Sequence, residues 1–118
     1  MNNHQRPPGK TTIAPDVLVT IARLTTLSVE GVSQLAVAPG EVNRFFKRSL
    51  NQGVRITVEN NTVYADLYVI LKRDVIVRDV CHSVQNQVAR AISEMVGMEV
   101  GKVNIHVVDI DYSVEVES

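Results

Sequence analysis

The feature that most constrains the fold is an apolar stripe in the C-terminal third of the chain. Its residues recur at steps of three and four over about 20 positions, the spacing of one buried face of an α-helix. We predict that this helix follows Asp74 as its N-cap and stops at Gly97. The stripe consists of Val77, Val80, Cys81, Val84, Val88, Ala91, Ile92 and Met95.

Strict alternation of apolar and polar residues on both sides of this helix predicts β-strands. Residues 54–58 alternate in this way, and Asn60-Asn61 supplies two residues that tolerate the positive φ of a tight hairpin turn. The return strand places its odd-numbered residues from 63 to 71 on one face, and residues 103–107 form the last strand. The chain therefore contains a hairpin, a helix and a further strand in that order.

The N-terminal half predicts one more helix and one more strand. Pro15 suits the first turn of a helix, because its missing N–H has no intrahelical partner there. Residues 32–37 read as a short strand, and residues 41–50 form either amphipathic helical turns or an ordered loop. The apolar stripe of the first helix, which reaches about Thr26, consists of Val17, Ile21 and Leu24, with Leu18 and Ala22 beside them.

The order helix, strand, hairpin, helix, strand predicts an α+β fold. A strand, a crossover helix and another strand in the same sheet should form a right-handed parallel unit. We expect a two-layer sandwich, with a mixed β-sheet of about four strands and two main helices on one face. The expected organisation is a flexible segment over residues 1–11, a single domain over 12–112 and an acidic tail over 113–118.

Composition limits the classes of function. The 118 residues include 12 basic and 13 acidic ones, so the net charge of −1 gives no general argument for a nucleic-acid partner. The single cysteine cannot form an intramolecular disulfide and suits a reducing compartment. No apolar run approaches the roughly 20 residues that cross a bilayer, and the polar N-terminus does not resemble a signal peptide. We expect a cytoplasmic protein.

The sequence carries no motif for catalysis, phosphate binding or a zinc site. Cys81 and His82 are adjacent in the helix, so their side chains diverge by about 100° and do not converge on one ligand. His106 would form a metal site only if it met His82 or a carboxylate such as Asp66, and the spacing does not require that contact. We therefore predict no catalytic, cofactor-binding or metal-binding residue and no small-molecule substrate.

Two surfaces remain as candidates for binding. The polar side of the predicted sheet is either an interaction surface or a half-hydrated face with no binding role; its residues are Tyr64, Tyr68, Ile70, Asn104 and His106. A basic patch with two neighbouring phenylalanines could bind single-stranded nucleic acid or anionic lipid. A solvated surface with both rings packed inward is the simpler interpretation, because the charges are few. The patch consists of Arg44, Lys47, Arg48 and Arg55, with Phe45 and Phe46.

Short segments in a fixed order make the chain resemble the alkaline shock protein family of bacterial envelope stress-response proteins. The similarity extends over residues 9–112, nearly the whole chain. The segments are Ile13-Ala14-Pro15-Asp16-Val17, Ile21-Ala22, Glu30-Gly31-Val32, Gly53-Val54, Val84-Gln85, Val96-Gly97-Met98-Glu99-Val100 and Val103-Asn104-Ile105. Each segment is mostly structural, so the resemblance rests on their combined order and spacing.

The resemblance implies a non-enzymatic cytoplasmic protein that acts as an interaction or scaffold module. It further implies protein partners, which for some members include a small membrane anchor protein that holds them at the inner face of the membrane. Self-association through the exposed sheet surface is also expected. The alternatives are binding of nucleic acid or anionic lipid through the basic patch, or regulation of a lipid-metabolism enzyme. The family supplies no catalytic residue and no cofactor.

The sequence departs from the family pattern just before the long helix. Relatives commonly carry an aromatic residue and a glycine there, where this chain has Lys72-Arg73-Asp74. The substitution replaces a flexible turn with charged residues. The chain also lacks the long charged tails of some members, which argues against a function carried by such a tail.

Overall fold

The computed structural model describes residues 8–37 and 53–113. These residues form two helices and four strands in the order α1 (Pro15–Ser28), β1 (Val32–Leu35), β2 (Val54–Glu59), β3 (Thr62–Lys72), α2 (Val77–Val96) and β4 (Glu99–Asp111). The predicted α+β class, with a four-stranded mixed sheet, is confirmed. Residues 41–50, for which either helical turns or an ordered loop were predicted, lie outside the described residues. Most of segments 1–11 and 113–118 lie outside them as well.

Strand β3 lies at the centre of the sheet. β4 pairs with it in parallel along its whole length, from Thr62 to Lys72. β2 and β1 pair antiparallel with successive parts of β3, residues 62–67 and 69–71 respectively. Because β4 occupies one edge of β3 throughout, β1 and β2 must share the other edge. The sheet therefore has four strands but is three strands wide.

β1 and β2 approach each other end to end beside Tyr68. The Tyr68 N–H donates to the Gly53 carbonyl oxygen at 2.9 Å, and the Ala36 N–H donates to the Tyr68 carbonyl oxygen at 2.9 Å. Gly53 has φ +80°, and a Cβ there would lie 2.8 Å from the Ala36 carbonyl oxygen. Glycine is thus required both by the backbone conformation and by the close approach of the two strand ends.

The core lies between the sheet and a layer of two helices. α1 packs on β1, β2 and α2, while α2 packs on β4. The helix-facing residues of β3 are fully buried. A hydrogen bond also joins the two layers, since the Gln85 side-chain amide of α2 donates to the Val103 carbonyl oxygen of β4 at 3.0 Å. This core is largely aliphatic, because the chain contains only two Phe, three Tyr and no Trp. Its β3 and α2 members are Val63, Ala65, Leu67, Val69, Leu71, Val80, Val84, Val88 and Ile92.

The hairpin and the end of α2 are formed as predicted. Asn60 and Asn61 have φ values of 51° and 63°, so both adopt the left-handed conformation that a two-residue hairpin turn requires. Gly97 ends α2 with φ 75°, and its N–H donates to the Ser93 carbonyl oxygen at 3.0 Å. The β1 strand is shorter than predicted and ends at Leu35.

Asp74 is not the N-cap of α2, which corrects the prediction. The helix begins at Val77, after Ile76 in an extended conformation that provides no side-chain cap. Asp74 instead occupies the preceding turn with φ 66°. Aspartate is one of the few side chains that tolerate this left-handed region, so the same residue type serves the turn and not the cap.

The buried stripes of both helices differ from the predicted ones at their margins. On α1, Val17 and Leu24 are 43% and 57% exposed, and the buried residues are Leu18, Val19, Ile21, Ala22 and Thr26. On α2, Val77 and Met95 at the two ends are 42% and 68% exposed. Cys81, predicted as a core residue, is only half-buried, and this partial burial raises the pKa of its thiol.

Candidate interaction surface

The face of the sheet opposite the helices, called here the open face, carries all five residues of the predicted interaction surface. Alternation along β3 places Tyr64, Tyr68 and Ile70 there, between the fully buried helix-facing residues. The parallel register pairs Tyr68 with His106 and Asp66 with Asn104. The antiparallel register pairs Arg55 of β2 with Asp66.

Asp66 is the centre of a hydrogen-bonded group on the open face. Its Oδ1 atom accepts from the Asn104 side-chain amide at 3.1 Å and lies 3.0 Å from the His106 Nε2 atom. A His106 ring protonated at Nε2 donates in that contact. The hydrogen bond from His106 is the largest cause of the lowered pKa of Asp66, and the Asn104 hydrogen bond and the Arg55 charge act in the same direction against partial burial. The carboxylate form is thereby stabilised.

Two aromatic rings and a guanidinium group lie in a row across three strands. The rings of Tyr68 and His106 stack with centroids 4.5 Å apart and an interplanar angle of 14°. On the other side, the Arg55 guanidinium carbon lies 5.8 Å from the centroid of the Tyr68 ring, within the range of a cation–π interaction. We call Arg55, Asp66, Tyr68, Asn104 and His106 the open-face cluster.

The other two predicted residues flank this cluster. Tyr64 lies against Gly101, where a Cβ atom would come 2.5 Å from the tyrosine ring. The sheet register shifts there, between Val63 and Tyr64, so Gly101 is the extra residue of a bulge in β4. Ile70 is half-buried and pairs with Gln34 on one side and Asp109 on the other. The structure thus joins three of the five residues, Tyr68 and His106 by stacking and Asn104 through Asp66, and leaves the other two beside them.

Arg55 belongs to the open-face cluster, although its sequence position suggested the basic patch. The remaining members of that patch, Arg44, Lys47 and Arg48, lie outside the described residues. The sequence contained the signal that was missed. A two-residue turn at Asn60-Asn61 pairs Glu59 with Thr62 and therefore Arg55 with Asp66.

The contact between His106 and Asp66 is one that the sequence spacing did not require. His82 does not join it, because it is an exposed residue of α2 in the other layer. Within residues 8–37 and 53–113, no group of three or more His, Cys, Asp or Glu side chains is arranged to hold a metal ion. The cluster offers a carboxylate, an amide, a guanidinium and two rings, a set suited to hydrogen bonding and stacking with another molecule.

A comparison with protein families connects this chain to a known group. Residues 3–112 match the alkaline shock protein 23 family, which is described as having a cell envelope-related function. The chain belongs to this family. The prediction made from its short sequence segments is therefore confirmed, and the family description names no reaction.

Two curated relatives are similar to the chain over most of its length. The uncharacterized protein YqhY of Bacillus subtilis is 29% identical over 111 residues, which cover 92% of this chain and 82% of the relative. The uncharacterized protein Spy1535 of Streptococcus pyogenes serotype M6 is 38% identical over 100 residues, covering 84% and 77% respectively. No solved structure matches the chain significantly. Neither helix of the described residues is both long and apolar enough to cross a membrane.

Proposed function

We propose that this member of the alkaline shock protein family is a non-enzymatic interaction module that docks a protein partner on its open face. The observation that carries the proposal is the open-face cluster, an ordered group of aromatic, cationic and amide side chains on the sheet face opposite the helices. Tyrosine and arginine are enriched among the residues that dominate binding energy at protein interfaces. The family's envelope-related function supplies the context.

The geometry of the cluster supports binding by preorganisation. Asp66 holds His106 and Asn104 by hydrogen bonds, and the stacked Tyr68 and His106 rings restrict each other's rotamers. Side chains that are already ordered lose less conformational entropy when a partner binds. Exposed hydrogen bonds and ion pairs of this kind contribute little to folding stability. A role in recognition accounts for their order better than a role in holding the fold together.

The proposal places the chain on the cytoplasmic side of the envelope, where a protein partner holds it at the membrane. The partner contributes planar or aromatic side chains, which can extend the row formed by Arg55, Tyr68 and His106. Binding rather than turnover is the proposed activity. The open-face cluster presents the carboxylate and the two rings to the partner as fixed contacts.

The test is a crosslinked pull-down of the tagged chain from membrane and soluble fractions of its native host. Partners are identified by mass spectrometry for the wild type and for a Tyr68→Glu, Ile70→Lys double variant. Met95→Glu is the matched control, because it charges an apolar residue that is 68% exposed on α2, away from the open face. We expect a membrane-fraction partner that the wild type and the control capture and the double variant loses.

Two results would contradict the proposal. Equal capture by the double variant would remove the open face from consideration, provided that circular dichroism shows both variants to be folded. Recovery of nucleic acid or lipid alone, with salt-sensitive binding that disappears when Arg44, Lys47 and Arg48 are changed to Glu, would instead favour the basic-patch alternative.

A further inference from the structure

Strand β4 forms one edge of the sheet, because among the described residues only β3 pairs with it. The N–H and C=O groups of Tyr68 bond to the ends of β2 and β1, so the alternate residues Leu67 and Val69 direct theirs to β4. In a parallel ladder these groups bond to the residues that flank their partners. The partners themselves, Ile105 and Val107, therefore direct their N–H and C=O groups away from the sheet.

Side chains occupy the outward backbone groups of β4 at two points, and proteins commonly protect a free strand edge in such ways. The Gln85 side-chain amide donates to the Val103 carbonyl oxygen at 3.0 Å, and the Ile110 N–H donates to the Asp109 carboxylate at 2.8 Å. Between these points, the outward N–H and C=O groups of residues 105 and 107 have no hydrogen-bond partner among the described residues. We call these groups the unpaired edge.

The occupied points and the unpaired edge are symmetric about His106. The two residues of the unpaired edge lie on either side of it. Val103 and Ile110 each lie three positions away when Val108, the extra residue of a second bulge in β4, is left out of the count. A strand with this symmetry can pair with an antiparallel copy of itself about a two-fold axis. The residues of the two unpaired edges would then exchange their N–H···O bonds, and the ladder would end at the occupied points.

The charges on the open-face side of β4 favour antiparallel pairing of two copies. Lys102 and Asp111 lie on opposite sides of His106, each four positions away when Val108 is left out of the count. About a two-fold axis, Lys102 of each copy lies opposite Asp111 of the other, and Asp109 lies diagonally beside it. Within one copy, Lys102 forms no ion pair with any described residue. The strand is therefore complementary in charge to an antiparallel copy of itself.

The side chains at the unpaired edge fit the same arrangement. On the helix-facing side, Val107 is 36% exposed in one copy and would pack against Ile105 of the other. On the open face, one side of the His106 ring stacks on Tyr68, so its other side is directed away from β3. Two copies would place their His106 rings next to each other, each 3.0 Å from its own Asp66 carboxylate. The row of rings would thus continue from one copy into the next.

We propose that two copies of this chain associate through antiparallel pairing of their β4 edges, with His106 at the two-fold axis. The two sheets become one continuous sheet that carries both open faces on the same side. This interface lies at the edge of the sheet and goes beyond the proposed function. Its ladder is limited to the unpaired edge, so the dimer is weak and depends on concentration. A partner that brings two chains together strengthens it.

Sedimentation velocity of the full chain, from about 1 µM to about 1 mM, tests the proposal over the range in which weak interfaces assemble. We expect a concentration-dependent dimer for the wild type. Val107→Pro should weaken it at least about tenfold, because proline removes an outward N–H group from each copy but no hydrogen bond to β3. Val58→Pro is the matched control and should not change the dimer. Val58 also directs its N–H away from β3, on the free edge of β2.

Disulfide trapping tests the register in a Cys81→Ser background. His106→Cys places the two new thiols directly opposite each other across the axis, in a pair whose Cα atoms are about 4.5 Å apart, within the range of a disulfide. Asn104→Cys is the control at a similarly exposed position, because its two copies are offset along the strands by roughly 14 Å. With oxidised glutathione as the oxidant, we expect His106→Cys to form the covalent dimer at least about tenfold faster.

Three results would overturn the proposal. They are a wild type that stays monomeric at the highest concentration, a folded Val107→Pro variant that dimerises as well as the wild type, and equal rates of trapping for the two cysteine variants. Thermal melts followed by circular dichroism establish that each variant is folded. If another segment of the same chain paired with the edge instead, the protein would always be monomeric, and Val107→Pro would lower the melting temperature more than Val58→Pro.

The dimer and the proposed function can fail independently. Partner capture is measured with the Tyr68 and Ile70 variants, which leave the β4 sequence unchanged. The dimer is measured with the purified chain alone, through substitutions in β4. Loss of the dimer with partner capture retained would reject the edge pairing only, and the opposite result would reject the open face only.

Discussion

On the helix-facing side of β3, five alternate residues from Val63 to Leu71 are fully buried. The side chains between them face the other way, are half-buried or exposed, and are mostly polar or aromatic. The same eleven residues of backbone thus support two different surfaces. Burial of aliphatic side chains contributes about 1.5–3 kcal/mol for each large residue, while an exposed ion pair contributes about 0–1 kcal/mol. One face stabilises the fold, and the other is free to vary in chemistry without unfolding it.

The largest effect on stability is expected when volume is removed from the buried face. Leu67→Ala should lower the free energy of unfolding by about 2–5 kcal/mol, because Leu67 has no exposed surface and its loss leaves a cavity between β3 and the helices. Urea denaturation followed by circular dichroism measures the change. The matched control is Ile70→Ala, on the open side of the same strand, for which we expect the free energy of unfolding to fall by about 1 kcal/mol. Similar losses for both variants would show that the two faces do not differ as described.

The elements could be predicted from the sequence where one local signal dominates. Alternation over residues 54–58 and 63–71, and paired asparagines in the turn, define β2, β3 and their register without any distant contact. The long stripe and Gly97 define α2 in the same way. The start of α2 could not be fixed from Asp74, because a turn at positive φ and an N-cap favour the same residue type.

The exposed apolar residues of α1 show a second limit of sequence patterns. Val17 and Leu24 are about as apolar as Ile21, so periodicity alone assigned all three to one buried face. The structure places Ile21 in the core and leaves the other two exposed. Hydrophobicity indicates that a residue avoids water but not which surface covers it. The crossover helix predicted the parallel pairing of β3 with β4, which the structure confirms, but the register that brings His106 to Asp66 depends on the packing of α2 and leaves no local signal.

A smaller effect on stability is expected for a substitution on the open face. The pKa of Asp66 is lowered chiefly by the hydrogen bond from His106, so folding stabilises the ionised carboxylate. Its contribution is present at pH values above the ordinary pKa of 3.8 and is lost as the pH falls through the lower value of the folded state. Asp66→Asn should therefore reduce the free energy of unfolding at neutral pH by at most about 1 kcal/mol, because the side chain is partly exposed.

Urea denaturation of both proteins between about pH 7 and about pH 2.5 measures this dependence. The difference between wild type and Asp66→Asn should shrink as the solution becomes acidic. Glu59→Gln, which removes an exposed carboxylate near the end of β2, is the control and should not show this convergence. A constant difference across the whole range would mean that the Asp66 carboxylate has no special stabilisation in the folded protein.

The smallest expected effect concerns the fit of Tyr64 against Gly101. In Gly101→Ala the new methyl group would lie 2.5 Å from one ring carbon of Tyr64 and 3.0 Å from Thr62 Cγ2, so the ring must move. Tyr64 is 37% exposed and can rotate, which limits the loss of unfolding free energy to about 0.5 kcal/mol. Without the ring, the reduced entropy of the unfolded chain should make the same substitution neutral or stabilising.

A double-mutant cycle with Tyr64→Ala isolates this contact, because the two residues touch directly. Gly101→Ala should destabilise the wild-type background and fail to destabilise the Tyr64→Ala background in urea melts. An equal effect in both backgrounds would mean that the tyrosine ring does not rest on the bulge. A measurable coupling would instead show that the open face has a local packing order of its own, weaker than that of the buried face but sufficient to hold an aromatic side chain in place for a partner.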